Sequence, residues 1–504
     1  MIDPFSPFED HVSSPRGRNA LPVDGTLGAA GGSACGDMLT IGLACVGGKI
    51  SAIGFEADGC AALTAAGSAV VELVAGIGLL EAARIGRAEI DAELGGLSAE
   101  RAHVNVLAEE ALHRALGVLL AHAEDDLLAP APNRKLVGLS GGVDSAVAAE
   151  LLKEAGAEAI GITLQLWDDP ATDGTASCCS PQAVTLARRL AHELDMPHFT
   201  VDLRDPFRKG VVDPYLAAFG EGLTPNPCVG CNGHVRFDAL DQMRARLGAE
   251  TLATGHYARI ERDEHGPLLA AAADDNKDQT YMLAAVEPRL IERLEFPLGQ
   301  LRKPEVRDRA RAAGLAVAEK PESQDLCFLA GIGRDGFLER HSGRSDEPGP
   351  IRDRHGHELG RHRGAYRYTV GQRRGLGLAA PTPLYVLDVD PSENAVTVGT
   401  IEELQTSSVR LVGVRLLRDA SEVDRVKLRY RNTPTGCRIE SELPAGRHRQ
   451  LRVELENSVD GAAPGQVACL MRGEAVVGWA TIARDAKLPA DELERDPRNI
   501  PVVL

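Results

Sequence analysis

Residues Lys135–Gly156 read KLVGLSGGVDSAVAAELLKEAG. An apolar, β-prone run enters Ser140-Gly141-Gly142-Val143-Asp144-Ser145, and a helical pattern leaves it. Adjacent glycines let a backbone approach an anion closely. Unpaired N–H groups at the start of the following helix then point at that anion, aided by the helix dipole. Ser140 and Ser145 add hydroxyl donors, and Asp144 is suited to help hold Mg²⁺. No Gly-Lys-Ser/Thr follows, so this is not a Walker A loop. A plain Gly-rich turn with a serine cap is the alternative. The full S-G-G-x-D-S pattern at a strand–helix junction is rarer than such turns and favours phosphate binding.

The same alternation continues downstream. Candidate strands at Leu136–Leu139, Ala159–Leu166, His198–Asp202 and Thr251–Thr254 are separated by helical patterns such as Ala146–Ala155 and Ala183–Glu193. Strand–helix alternation predicts a parallel α/β sheet covered on both faces. At 504 residues the chain is too long for one core. We expect an Ala- and Gly-rich region over 1–126, a linker over 127–134, the α/β domain over 135–330, a small Gly- and Arg-rich central domain over 331–403, and a C-terminal β-barrel over 404–504. No run of 18 apolar residues suggests a membrane span, and the first residues lack a signal-peptide pattern. A cytoplasmic address with reduced thiols is the expectation. The net charge of -18 argues against a nucleic-acid partner when taken alone. Residues 1–126 contribute 18 acidic and 7 basic residues, however, while Arg-rich runs such as RDRHGHELGRHRGAYRYTVGQRRG lie further on. A local basic face is therefore compatible with the total.

The stretch LTPNPCVGCNGHVRF, residues Leu223–Phe237, holds Cys228 and Cys231 in a C-x-x-C frame. Such a pair suits a metal knuckle, a redox couple or a sulfur-handling nucleophile. A zinc knuckle needs a further ligand pair, and none is near. Cys327 follows an acidic, polar run in PESQDLCFLAG. In TLATGHYARI, Gly255 and His256 stand at the C-terminal end of a strand, where α/β sheets bind ligands. Cys178 and Cys179 are adjacent, which is poor metal geometry, and read as loop residues. Cys437 and Cys469 fall in β-rich runs and read as barrel core.

The Ser140–Ser145 loop resembles the PP-loop of the adenine nucleotide alpha hydrolase-like ATP pyrophosphatases. Together with TPNPCVGCN, TLATGHYARI, DDNKDQTYML, PESQDLCFLAG, GAYRYTVGQRRGLGL and LRYRNTP, it resembles the tRNA-specific 2-thiouridylase family from about Lys135 to Ile482. The resemblance implies that Gly138, Leu139, Ser140, Gly141, Gly142, Val143, Asp144 and Ser145 hold the pyrophosphate part of ATP. Leu164, where the family usually has methionine, and Gly255 align with further ATP contacts. It implies adenylation of the 2-oxygen of the wobble uridine of tRNA, attack by a persulfide sulfur, and departure of AMP. Cys231 aligns with the nucleophile and Cys327 with the persulfide carrier. Asn226, Pro227 and Cys228 align with the segment facing the target base. His256, Lys277, Asp278, Gln279, Arg429, Tyr430 and Gln466 align with tRNA contacts. Without the resemblance, Lys277–Gln279 would read as a solvated turn, and Arg429 and Tyr430 as outward barrel residues. The sulfur donor would be a cysteine desulfurase, a relay protein or sulfide.

Position 228 is commonly acidic in that family and is cysteine here. Cys228, Cys231 and Cys327 then offer three ligands for a 4Fe-4S cluster with one iron open to an inorganic sulfide. This route competes with the persulfide relay. An amidating synthetase is a second enzymatic reading, but it would need an ammonia source. A non-enzymatic iron–sulfur carrier is a third, and it sits poorly with an intact S-G-G-V-D-S.

Residues 1–126 resemble a U-type iron–sulfur cluster scaffold of α+β fold, through FEDHVSSPRGRNAL, GGSACGDML, FEADGCAALTAAGSAV and RAHVNVLAEEAL. Cys35, Asp37, Cys60 and His103 match a mixed metal-ligand set that suits zinc. Val104 stands where the scaffold's last cysteine is expected, and LSAER replaces its chaperone-docking segment. A retained fold used only for docking is the alternative to metal binding.

Overall fold

The computed structural model describes residues 6–32, 36–169, 180–321, 326–343 and 346–484. Cys35, Cys178 and Cys179 lie outside the described residues. The chain opens with helix α1 (Pro7–Ser13) and an antiparallel sheet of β1 (Thr26–Gly31), β2 (Met38–Val46) and β3 (Lys49–Asp58). Helices α2 (Ala61–Val74) and α3 (His103–His122) cover one face of it. Small residues permit this packing: a Cβ on Gly28 would lie 2.2 Å from the Ala115 nitrogen, so α3 rests directly on β1.

The predicted parallel sheet is present. It runs β10-β7-β4-β5-β6, with β4 (Ala131–Gly138), β5 (Glu158–Gln165), β6 (His198–Asp202), β7 (Ala249–Thr254) and the short β10 (Leu294–Glu295) all parallel. Leu136, Ile160, Ile162, Phe199, Val201 and Leu252 are buried, which is the near-continuous apolar run of a sheet covered on both faces. Helices α4 (Val143–Glu154) and α5 (Pro181–Glu193) are two of its connections. Its edge strand β6 is covered by α3 of the N-terminal region. A Cβ on Gly117 would meet the Thr200 carbonyl oxygen at 2.0 Å. The junction after α3 is also pinned, because the amides of Leu127 and Leu128 both donate to the Arg246 carbonyl.

The C-terminal barrel has six strands: β15 (Gln405–Leu416), β16 (Arg425–Lys427), β17 (Thr435–Arg438), β18 (Gly446–Asp460), β19 (Val467–Arg472) and β20 (Ala475–Ile482), closed by β15–β20 pairing. The hairpin β8 (Arg259–Asp263) and β9 (Gly266–Ala270), which follows the parallel sheet in the chain, extends the barrel's sheet through Ala270 and Ala475. An ion cluster fixes that hairpin: Asp263 accepts from Arg418 at 2.5 and 2.9 Å and from Arg472 at 2.7 Å. These guanidinium groups hold the Asp263 carboxyl far below the usual carboxylate range. Between the parallel sheet and the barrel lies a four-stranded sheet in the order β12-β11-β14-β13, built from β11 (Gly349–Arg352), β12 (Glu358–His362), β13 (Tyr385–Asp390) and β14 (Ala395–Gly399). No described helix is long and apolar enough to cross a membrane.

Candidate functional site

The loop between β4 and α4 borders a cavity of about 1080 Å³ at the C-terminal edge of the parallel sheet. Every predicted ATP-binding residue except Gly141 lines it. Gly141 takes φ +66°, a left-handed conformation that costs glycine little. Its carbonyl accepts from Lys320 Nζ at 2.9 Å. Ser145 Oγ accepts from the Ser140 amide (3.1 Å), lies 3.2 Å from Ser140 Oγ, and donates to the Gly142 carbonyl (3.0 Å). The serines therefore fix the loop's shape as well as offering donors. Gly255 is required by close approach: a Cβ there would lie 2.6 Å from the Ser145 nitrogen.

Asp144, read from the sequence as a Mg²⁺ carboxylate, already has donors. Lys303 Nζ lies 2.7 Å from both its oxygens, and Tyr257 OH donates to Oδ1 at 2.9 Å. Lys303, Lys320 and Tyr257 all line the cavity and were not singled out in the sequence. Nothing local marks Lys303, which opens an ordinary charged helix in LRKPEVRDRARA. Arg425, Lys427 and Arg431 reach the same cavity from the barrel, and the basic run DRVKLRYRN was the available signal for them.

The residues aligned with tRNA contacts divide in two. His256, Lys277, Asp278, Gln279 and Tyr430 line the cavity. Burial, with the charge of Arg236, pushes the His256 imidazole down to about 3, so it is neutral near pH 7. Its Nδ1 lies 2.9 Å from Thr254 Oγ1. Lys277–Gln279 is not a solvated turn: Asp278 accepts from Thr280 and from Lys427 Nζ (3.1 Å), and Gln279 Oε1 accepts from the Tyr257 amide (2.9 Å). Arg429, Gln466, Asn226, Pro227 and Cys228 stand outside the cavity wall. Arg429 packs on the central region, where a Cβ on Gly371 would meet its Nη2 at 2.9 Å. Gln466 Oε1 accepts from Tyr281 OH at 3.4 Å.

The cysteines lie behind this wall. The five-residue helix α6 (Pro227–Cys231) begins at Asn226, whose Oδ1 accepts from the Cys228 amide at 3.1 Å. Aromatic residues are only 4% of the chain, yet one cluster gathers Trp167, Phe207, Tyr215, Phe219, Phe328, Phe337 and Tyr366. Cys231 is 6% exposed within that cluster, and half-buried Cys327 packs against it. Cys228 stands one turn before Cys231 on α6, so the two thiols lie on neighbouring positions of one helix. Leu166 belongs to this cluster and also lines the cavity, so the thiols and the phosphate loop share a wall. Among the described residues, no three His, Cys, Asp or Glu side chains are arranged as a metal site.

In the N-terminal region, three of the four expected ligands meet. Asp37 Oδ2 accepts from Cys60 Sγ at 3.4 Å and lies 3.3 Å from His103 Nε2. Cys35 is outside the described residues. Val104 is fully buried in the core.

Comparison with known proteins matches this layout segment by segment. The NifU-like N terminal domain model covers residues 8–124, the tRNA methyl transferase HUP domain 133–331, the tRNA methyl transferase PRC-barrel domain 335–400, and the aminomethyltransferase beta-barrel domain 403–482. The bifunctional protein NifU/MnmA of Rubrobacter xylanophilus is 43% identical over 488 residues, spanning 94% of this chain and 97% of that protein. The chain belongs to the bifunctional NifU/MnmA family. Relatives without the N-terminal part also match: the tRNA-specific 2-thiouridylase MnmA of Geobacter metallireducens is 43% identical over 362 residues, 70% of this chain and 97% of that one. Among solved structures, the U34-tRNA thiolase NcsA from Methanococcus maripaludis, described with its 4Fe-4S cluster, aligns at 18% identity with a TM-score of 0.25, over 42% of this chain and 64% of that one. NifU/MnmA membership accounts for the order of the four regions and for the sulfurtransferase class of the enzyme.

Proposed function

We propose that the chain is a tRNA 2-thiouridylase that adenylates the wobble uridine and delivers sulfur from an enzyme persulfide. The carrying observation is the shared wall at Leu166, with the phosphate loop on one side and the packing around Cys231 and Cys327 on the other. The base 2-oxygen attacks the α-phosphorus of ATP and expels pyrophosphate toward Ser140–Ser145. That step turns a poor leaving group into AMP. The terminal sulfur of a Cys327 persulfide then attacks C2, and AMP departs. Cys231 thiolate attacks the inner sulfur, releasing the 2-thiouridine and leaving a Cys231–Cys327 disulfide. An external thiol reductant restores both thiols. Asn226, Pro227 and Cys228 face the target base, while His256, Lys277, Asp278, Gln279, Arg429, Tyr430 and Gln466 contact tRNA. Flipping is cheap in a single-stranded anticodon loop. Mg²⁺ accompanies the nucleotide, and the setting is cytoplasmic. The division at 126, 134, 330 and 403 follows from the same assignment.

The persulfide reading is preferred because Cys231 and Cys327 pack in one aromatic cluster beside the phosphate loop, with cluster-bound sulfide on Cys228, Cys231 and Cys327 as the competing route. We further infer that the N-terminal region supplies sulfur or a cluster to this site, held in place by α3 on β6. The test is ATP-dependent incorporation of labelled sulfur into tRNA by anaerobically purified protein, with iron and sulfide analysis. Incorporation by a colourless, iron-free enzyme supports the persulfide. Loss of activity on iron removal overturns it in favour of a cluster. No incorporation with competent tRNA and a sulfur donor sinks the thiouridylase reading.

A further inference from the structure

Asp144 sits in the first turn of α4, beside the N–H groups that make this helix start an anion site. A carboxylate there repels a polyphosphate at close range. The structure supplies the compensation. Lys303 Nζ lies 2.7 Å from both Asp144 oxygens, and its side chain is only 10% exposed. The lysine is held from behind, since its amide donates to Asp274 Oδ2 at 2.9 Å and it opens a helix running to Ala312. Tyr257 OH also donates to Asp144 Oδ1 at 2.9 Å, and the ammonium stands 5.9 Å over the Tyr257 ring. All three groups face the cavity.

We propose that Lys303 is a phosphate-side cation of the nucleotide site, which neutralises Asp144 and passes to the pyrophosphate oxygens when a divalent cation takes that carboxylate. A buried ammonium keeps an anionic partner throughout the exchange, because leaving it unpaired in a dry site is costly. Asp144 is the only element of the S-G-G-V-D-S loop that opposes the charge of the nucleotide, so its neutralisation sets affinity before the metal arrives. This inference rests on the reading that the cavity takes ATP.

The test is calorimetric binding of α,β-methylene ATP, and separately of inorganic pyrophosphate, to the full chain in EDTA and in excess Mg²⁺. Lys303→Met is expected to lose at least tenfold in affinity in both media, in EDTA because Asp144 is left unneutralised and in Mg²⁺ because the cation on the pyrophosphate oxygens is lost. Lys303→Arg should stay near wild type in both media. The Asp144→Asn/Lys303→Met double variant, which removes both charges, should recover most of the loss seen in EDTA; it also serves if the single variant does not fold. A loss of less than about threefold for Lys303→Met in Mg²⁺, or no recovery of the double variant in EDTA, overturns the proposal and leaves Lys303 a structural partner. Failure of the wild-type protein to bind either probe in Mg²⁺ overturns the ATP reading together with it.

Discussion

At the scale of single residues, the three thiols have different surroundings and different expected roles. Cys231 is almost fully enclosed, whereas Cys228 and Cys327 are half-buried. Replacing Cys231 or Cys327 by serine should lower tRNA thiolation on the order of a thousandfold or more, because the persulfide route uses each sulfur in a bond-making step. Release of pyrophosphate from ATP in the presence of tRNA should survive both changes, because adenylation precedes the attack by sulfur. Cys228→Asp restores the acidic residue common in the family, and it should keep activity within about threefold if Cys228 is neither nucleophile nor ligand. Loss of activity in Cys228→Asp, together with loss of bound iron, would favour the cluster. The sequence made these cysteines conspicuous because each sits in a dense local motif. Lys303 was hidden, since its carboxylate partner lies 159 positions away and its own surroundings read as a helix start. Asp278 misled in another way. Its polar neighbours suggest a solvated turn, but Lys427 from the barrel buries it.

At the scale of elements, the parallel strands were legible because each is a short apolar run between helical patterns, and β6 was read with its exact bounds. The joining of the β8–β9 hairpin to the barrel was not, because cross-strand register between distant segments leaves no local trace. The docking of α3 on β6 was equally silent, although it decides how the N-terminal region is carried. That interface brings His113, His192 and His198 together with buried Arg188 and Glu109, the latter also paired with the exposed Arg87. Burial lowers the affinity of all three imidazoles for protons, most for His113 and His198, and Arg188 adds to the effect. An undocked or unfolded chain titrates them near their ordinary value of about 6.5. Below that pH it binds protons that the docked state refuses, so stability falls as pH falls. Each histidine contributes a slope of up to about 1.4 kcal/mol per pH unit. The melting temperature should therefore drop between pH 7 and pH 5.5, and His113→Gln should flatten the drop. An unchanged profile in that variant would remove His113 as a cause of the drop. Gly117→Leu, whose side chain has no room against Thr200, should undock the region at pH 7 and expose it to protease.

At the scale of the whole molecule, the orientation of α3 gives the N-terminal region a direction. Gly117 abuts Thr200 midway along β6, and the carbonyls of Leu120 and Ala121 accept from Arg246 Nη1, just before β7 begins. The C-terminal end of α3 therefore lies toward the N-terminal edge of the sheet, and its His103 end lies about 21 Å back from Gly117 at 1.5 Å per residue. It passes the C-terminal edge of the sheet, the edge that carries the phosphate loop. The Asp37–Cys60–His103 group therefore faces the same end of the molecule as the phosphate loop. Fused modules gain from high effective concentration only when geometry allows both sites to engage, and here rigid docking replaces a flexible tether. Deleting residues 1–126 is consequently a poor test of delivery. It uncovers the β6 edge and the buried Arg188, and an exposed edge strand invites aggregation. Point variants in the intact chain separate the two roles. Cys60→Ser and Asp37→Ala should leave the melting temperature within a few degrees and leave unchanged the thiolation driven by free sulfide, which opens the Cys231–Cys327 disulfide to a Cys327 persulfide and a Cys231 thiolate. With sulfur supplied from cysteine by a desulfurase, both should lower thiolation by about tenfold or more if the N-terminal site lies on the route. Equal thiolation by wild type and both variants under desulfurase supply would show that the region is retained to cover β6, with no part in sulfur transfer.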